Sequence, residues 1–348
     1  MIQNLVQHLL RARNGNLREV RIFWSHTGAS PFGEASPIAW DQDLEAHEGQ
    51  PLGKLQYLQL AGLQGAEGTS LQTWACHTNF GQLRALNLEM PVSQAALDTL
   101  INLPLKSLHS LGIGLDDPRD TSDHYTTTLQ TFICNLPSLS HLRLTGALQS
   151  SALKVILNHL ESTLHTLYLI PASTAHGRFV FDSSTIALVT NSCKHVQDLG
   201  ITIRRSWNKP GEDIAVLKAI GRMPHLSSLN LTFDASDYTL LLPAKGVNEP
   251  TNLAPSDPSF SAFDTEISSG GFGAGKKLRK GHIRDALIDS AIDAQLANGV
   301  FETVISATPD GETSCLQRLS LKAVGGGHFG TSTTNGSITE IVKEVGRE

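Results

Sequence analysis

The sequence predicts an α/β solenoid of irregular repeats, with short strands forming a parallel inner sheet and helices on the outside. Three observations predict it. The spacing L-x-x-L-x-L, with aliphatic substitutions, occurs nine times. The first positions of the copies step by 38, 28, 25, 31, 25, 32, 30 and 90 residues, so six of the eight steps fall between 25 and 32. Between copies lie stretches with helical apolar spacing, and Pro104, Pro137 and Pro224 stand between such a stretch and the next copy. Proline stops a helix there without disturbing a strand ladder. Ordering one such unit costs roughly 1–2 kcal/mol per residue, while a buried leucine returns about 1.5–3 kcal/mol, so single units cannot stand alone and must stack.

In chain order the copies are Leu17-Val20-Ile22, Leu55-Leu58-Leu60, Leu83-Leu86-Leu88, Leu108-Leu111-Ile113 and Leu139-Leu142-Leu144. They continue as Leu164-Leu167-Leu169, Val196-Leu199-Ile201, Leu226-Leu229-Leu231 and Leu316-Leu319-Leu321. The stretch Leu129–Leu144 is the clearest unit. Leu129, Phe132, Ile133 and Leu136 form a one-sided helical stripe, followed by a turn and a strand. Helices are expected over Ser93–Leu103, with Ser93 as N-cap, and over Ser150–Leu160, Ser183–Cys193 and Asp213–Met223. One further helix is expected over Ile283–Ile305, interrupted near Gly299, with Ala286, Leu287, Ile292 and Leu296 as its stripe. The final strand is expected over Cys315–Val324. Residues 1–330 therefore read as a single solenoid of about nine units. Two segments break the rhythm: a loop at 27–51, and a flexible insert at 243–280 whose Pro243–Gly275 portion is rich in proline, glycine and small polar residues. Residues 331–348 read as a C-terminal tail or a truncated final unit.

Composition narrows the function classes. A net charge of -6 and a pI near 6.1 lack the basic excess of a nucleic-acid binder. The four cysteines, Cys76, Cys134, Cys193 and Cys315, form no C-x-x-C pair. They read as reduced thiols, with Cys134, Cys193 and Cys315 as small buried groups before strands. No apolar run reaches the length of a membrane span, and the N-terminus does not fit a signal peptide. The expected location is cytoplasmic or nuclear, with no nucleic acid and no membrane as partner.

Three local patterns invite sharper readings. Gly270–Lys277 fits G-x-x-x-x-G-K, but Lys277 stands where the Mg²⁺-holding hydroxyl belongs and no buried strand leads in, so a nucleotide-binding enzyme is the remote alternative. Lys276, Lys277, Arg279, Lys280, His282 and Arg284 form a basic cluster, readable as an import signal or as a solvated helix start. The fourteen histidines include no H-x-x-x-H pair, and no metal or other cofactor is expected. Asn230-Leu231-Thr232 and Asn335-Gly336-Ser337 match glycosylation acceptors by chance. No catalytic residues are assigned, because a solenoid offers an extended surface rather than a pocket.

That surface follows from strand alternation. Residues between the strand leucines turn away from the core, onto the concave face. They include Glu19, Arg21 and Phe23; Tyr57 and Gln59; Asn87 and Glu89; Ser110 and Gly112; and His141 and Arg143. Beyond these come Thr166 and Tyr168, Asp198 and Thr202, Ser228 and Asn230, and Arg318, Ser320 and Lys322. The candidate partner-binding residues are Tyr57, Asn87, His141, Arg143, Tyr168, Asp198, Asn230 and Arg318, being types that dominate hot spots or make directional polar contacts.

The strand spacing and helix periodicity resemble the leucine-rich-repeat superfamily, which implies a curved horseshoe-shaped leucine-rich-repeat solenoid. The superfamily's Asn or Cys after the last strand leucine is replaced here by Leu63, Pro91, Ala147, Ala172, Arg204 and Asp234. Irregular repeats of this kind, with the closing segment Asp285–Gly330, resemble the repeat region of fungal F-box proteins. No F-box is visible before residue 17. The resemblance implies a non-enzymatic scaffold serving as the substrate-recognition arm of a ubiquitin ligase. Its partner would be a protein on the concave face, with a ubiquitin-ligase adaptor added if an F-box lies upstream. The alternative is a free-standing regulatory or inhibitor-type binding protein.

Overall fold

The computed structural model describes residues 17–23, 54–61, 68–115, 123–146, 149–170, 181, 183–205, 210–235, 261–266, 280–309 and 314–324. The loop at 27–51, the glycine-rich segment 270–277, residues 331–348 and most of the insert lie outside them. The chain is α/β. Its nine strands form one all-parallel sheet in chain order, and nine helices are described. Contacts divide the chain into two units, Met1–Tyr168 and Leu169–Glu348.

The first unit holds β1 (Glu19–Phe23), β2 (Tyr57–Ala61), β3 (Ala85–Val92), β4 (Ser110–Leu115), β5 (His141–Thr145) and the start of β6 (Thr166–Ile170). Its helices are α1 (Gly68–His77), α2 (Gln94–Ile101), α3 (Asp123–Cys134) and α4 (Ser150–Leu160). The register matches equivalent repeat positions: Val20 pairs with Leu58, Leu58 with Leu86, Leu86 with Leu111 and Leu111 with Leu142. One backbone pattern recurs at each strand start. The carbonyl of the residue before a strand accepts two successive amides from the next unit: Arg18 from Gln56 and Tyr57, Arg84 from His109 and Ser110, His109 from Ser140 and His141. From Leu55 to Leu231 every residue of the seven repeat triplets is at most 3% exposed. The helices bury matching stripes, such as Leu129, Phe132 and Ile133 in α3 and Leu153, Ile156, Leu157 and Leu160 in α4. Successive helices pack on one another from α1 to α4. Ser93 caps α2 as expected, its hydroxyl accepting from the Ala96 amide. Tyr125 of α3 donates to the Val92 carbonyl at 2.9 Å.

The second unit holds the rest of β6, then β7 (Asp198–Arg204), β8 (Ser228–Asp234) and β9 (Arg318–Val324). Its helices are α5 (Ser183–Ser192), α6 (Pro210–Ile220), α7 (Ala262–Thr265), α8 (Lys280–Ser290) and α9 (Ala294–Ser306). Leu199 pairs with Leu229 and Leu229 with Leu319. Leu319 and Leu321 remain half-exposed in β9, which pairs with β8 on one side.

Three expectations need correction. The stretch Ile283–Ile305 is two helices, broken at 291–293 rather than near Gly299, because the Asp293 carboxylate caps α9 by accepting from the Leu296 amide at 2.7 Å. The break resets the helical phase, so the expected stripe is wrong: Leu287 and Ile292 are exposed, and α9 buries Val300 and Val304. Of the three thiols expected to be buried, Cys193 is buried, Cys134 is half-buried with its pKa raised by burial, and Cys315 is exposed. Helix α1, whose sequence shows too few apolar positions to mark a period, buries Leu71 and Trp74.

Part of the 243–280 segment is ordered. Ser261 caps α7, its hydroxyl and backbone amide both donating to the Asp264 carboxylate at 2.6 and 2.9 Å. Arg284 of α8 reaches the same carboxylate at 2.5 Å, and Asp264 is 3% exposed. Lys280 pairs with Glu266 and lies over the Phe263 ring. Two members of the basic cluster are thus engaged by acidic side chains. The Ser261 hydroxyl, the Ser261 amide and the charge of Arg284 hold the Asp264 carboxyl below the ordinary aspartate value, against the opposing effect of burial. A lowered pKa makes the docking of α7 on α8 strongest above about pH 3.9 and progressively lost as pH falls through the folded-state value. Amide exchange at Thr265 and Glu266, whose amides bond Ser261 and Phe263, should therefore accelerate in acid beyond the intrinsic rate, and Asp264→Asn should remove that acceleration. Equal protection in wild type at neutral and acid pH would sink this account.

Candidate functional site

Across the first unit, the sheet face turned away from the leucines carries an interlocked set of polar side chains. Arg21 donates to Glu19 at 2.5 Å, and its guanidinium lies 4.8 Å over the Tyr57 ring. The Tyr57 hydroxyl donates to Gln59 Oε1 at 3.0 Å. Gln59 Nε2 and Asn87 Nδ2 both donate to Glu89 Oε1, at 3.1 and 2.9 Å. Strand geometry explains the lattice. Glu19 and Arg21, Tyr57 and Gln59, and Asn87 and Glu89 are i, i+2 pairs on one face, and the register sets Arg21 beside Gln59 and Gln59 beside Asn87. The Gln59–Glu89 bond and the Arg21–Tyr57 ring contact cross between strands, while the other bonds run along one strand. Asn87 folds across Gly112 of the next strand, where an added Cβ would meet Oδ1 at 2.2 Å. The side chain of β3 therefore takes the space that the glycine of β4 leaves.

The structure brings Tyr57 and Asn87 into this lattice through Gln59 and Glu89. His141 and Arg143 stand exposed on β5, beside Ser110 and Gly112. Tyr168 holds the position of Arg143 in the following repeat and is half-buried. In the second unit Asn230 Nδ2 donates to Asp198 Oδ1 at 3.0 Å, and Arg318 Nε to Ser228 Oγ at 3.2 Å. Four residues expected at the surface are covered: Gln59 at 7%, Thr202 at 2% and Ser228 at 5% exposure, and Gly112, buried beneath Asn87. Gln59 is covered within the lattice and Ser228 lies under Arg318.

Other groupings were illegible from spacing. The rings of His195 and His225 stack with centroids 6.0 Å apart, at equivalent places in successive repeats. Among the described residues no group of three or more His, Cys, Asp or Glu could hold a metal ion, and no described helix is long and apolar enough to cross a membrane. Asn230, in the first glycosylation-like triplet, is half-buried within β8.

No family profile and no curated protein matches the chain.

Proposed function

We propose that this protein is a non-enzymatic scaffold for protein–protein interaction, built as an irregular leucine-rich-repeat solenoid, with the outward sheet face as its partner surface. The carrying observation is the hydrogen-bonded lattice of Glu19, Arg21, Tyr57, Gln59, Asn87 and Glu89. Side chains already held in place lose little freedom on binding, which lowers the ordering cost that limits affinity. Tyr57 and Arg143 supply the amphipathic and forked-donor chemistry typical of hot spots. Tyr168, Asn87 and His141 extend that surface in the first unit; Asp198, Asn230 and Arg318 form its counterpart in the second.

In its specific form the reading is the substrate-recognition arm of an F-box-type ubiquitin ligase. Affinity purification of the chain from a fungal lysate, followed by mass spectrometry, tests it. Recovery of a ubiquitin-ligase adaptor with a second protein supports the arm. A stable partner without adaptor supports a free-standing regulator. Recovery of no specific partner under either tagging orientation would count against the scaffold.

A further inference from the structure

The first unit carries a band of cations along the rim where its strands begin. The residues leading into β1 to β6 are Arg18, Gln56, Arg84, His109, Ser140 and His165, and none is acidic. Arg84 and Lys106 at the rim, and Arg143 just inside it on β5, are exposed and form no ion pair among the described residues. Three histidines border them, each with one ring nitrogen already engaged. His109 Nδ1 donates to the Ser107 carbonyl at 2.5 Å, and His165 Nδ1 to the Thr163 carbonyl at 2.7 Å. Because a carbonyl only accepts, the proton sits on Nδ1 and leaves Nε2 as the ring's remaining polar atom. His141 Nδ1 shares a hydrogen bond with the Ser140 hydroxyl at 2.7 Å.

The arrangement is repeated. Ser107-Leu108-His109 and Thr163-Leu164-His165 have the same form, and each hydroxyl is tied to the preceding unit, Ser107 to the Gly81 carbonyl at 2.7 Å and Thr163 to the Leu139 carbonyl at 2.9 Å. On the sheet face the acids are committed, Glu19 to Arg21 and Glu89, towards the far end of β3, to two amides, while Glu161, four residues before His165, is the exposed acid of the last turn. The band is thus locally positive on a chain of net charge -6. Backbone bonds set Arg84, His109, Ser140 and His165 in consecutive order. With neighbouring strands about 4.8 Å apart, the row spans about 14 Å, the reach of about four extended residues.

We propose that this band docks an acidic stretch of a protein partner, with Arg84 and Arg143 gripping carboxylates and the outward histidine edges lining the track. The inference rests on the scaffold reading and names its partner's chemistry. Guanidinium forks match carboxylates in planar, paired hydrogen bonds. Nucleic acid is the poorer fit, because the chain as a whole lacks the basic excess that binding to a phosphate backbone needs.

The test is fluorescence anisotropy of labelled hexaglutamate titrated with the full chain at low and near-physiological salt, beside hexalysine and a single-stranded oligonucleotide. The result expected is saturable hexaglutamate binding that weakens with salt. It should be at least about tenfold weaker for Arg84→Glu with Arg143→Glu and unchanged for Lys154→Glu on α4. The Arg84→Gln with Arg143→Gln pair repeats the test without charge reversal, and circular dichroism checks that each variant is folded. Absence of hexaglutamate binding, oligonucleotide binding as tight or tighter, or insensitivity of both folded double variants overturns the proposal. A partner captured from lysate that is lost with Tyr57→Ala but retained by both double variants overturns the charge assignment and leaves the scaffold standing. A partner retained by every face variant overturns both.

Discussion

Leu142→Ala should lower the unfolding free energy by about 2–5 kcal/mol, whereas Arg143→Glu, one residue along the same strand, should change it by less than about 0.5 kcal/mol. Leu142 is 1% exposed and sits in register with Leu111, itself 1% exposed. Truncation removes the transfer free energy of the side chain and leaves a cavity that packed neighbours on both sides cannot fill. Arg143 points to the opposite face and has no ion pair among the described residues. Chemical denaturation of both variants reads the difference directly. Equal losses would mean that the inward and outward faces of β5 are misassigned.

The second large effect is expected at a glycine. Gly221 follows α6, and a Cβ added there would lie 2.1 Å from the Val304 carbonyl oxygen and 2.9 Å from the Ala307 Cβ of the segment that carries α9. The nearest obstacle is backbone, so relief requires α6 and α9 to separate, and Val304 is 1% exposed because they do not. Overpacking of this kind costs about 1–3 kcal/mol, and Gly221→Ala should fall at the upper end. Gly299→Ala is the matched control. It lies within α9 with nothing within 4 Å of its added Cβ, so it should be neutral or stabilise by about 0.5–1 kcal/mol through helix propensity. Thermal or denaturant unfolding of the pair separates close backbone approach from propensity. A Gly221→Ala variant as stable as Gly299→Ala would refute the packing.

Much of the sheet is legible because the triplet spacing records two constraints at once. The alternation of Leu142 and Leu144 marks a strand, and the recurrence of the same triplet marks its neighbours, so even the cross-strand register follows from the leucines. Helix α1 is hidden because Leu71 and Trp74 stand among Gly, Ser, Thr and Gln, leaving too few apolar positions for the period to register. The 291–293 break carries a local signal, Asp293 three residues before Leu296, but the continuous apolar pattern on either side overrides it. The site is legible only in part. Alternation places Tyr57, Gln59, Asn87 and Glu89 on one face, but the bond that ties the two strands together, Gln59 to Glu89, joins residues 30 apart in sequence and depends on register and rotamer. The rim residues Arg84, His109 and His165 escape the alternation rule because they lie in the turn before each strand, where the period of two does not yet apply.

The central claim is that the outward face of the parallel sheet holds the partner. Its most direct measurement is quantitative partner recovery by wild type, by Tyr57→Ala with Asn87→Ala on that face, and by Val155→Ala with Lys154→Ala on the exposed side of α4. The first pair should lose the partner and the second should recover it as wild type does. Retention with the sheet-face pair and loss with the helix-face pair would contradict it.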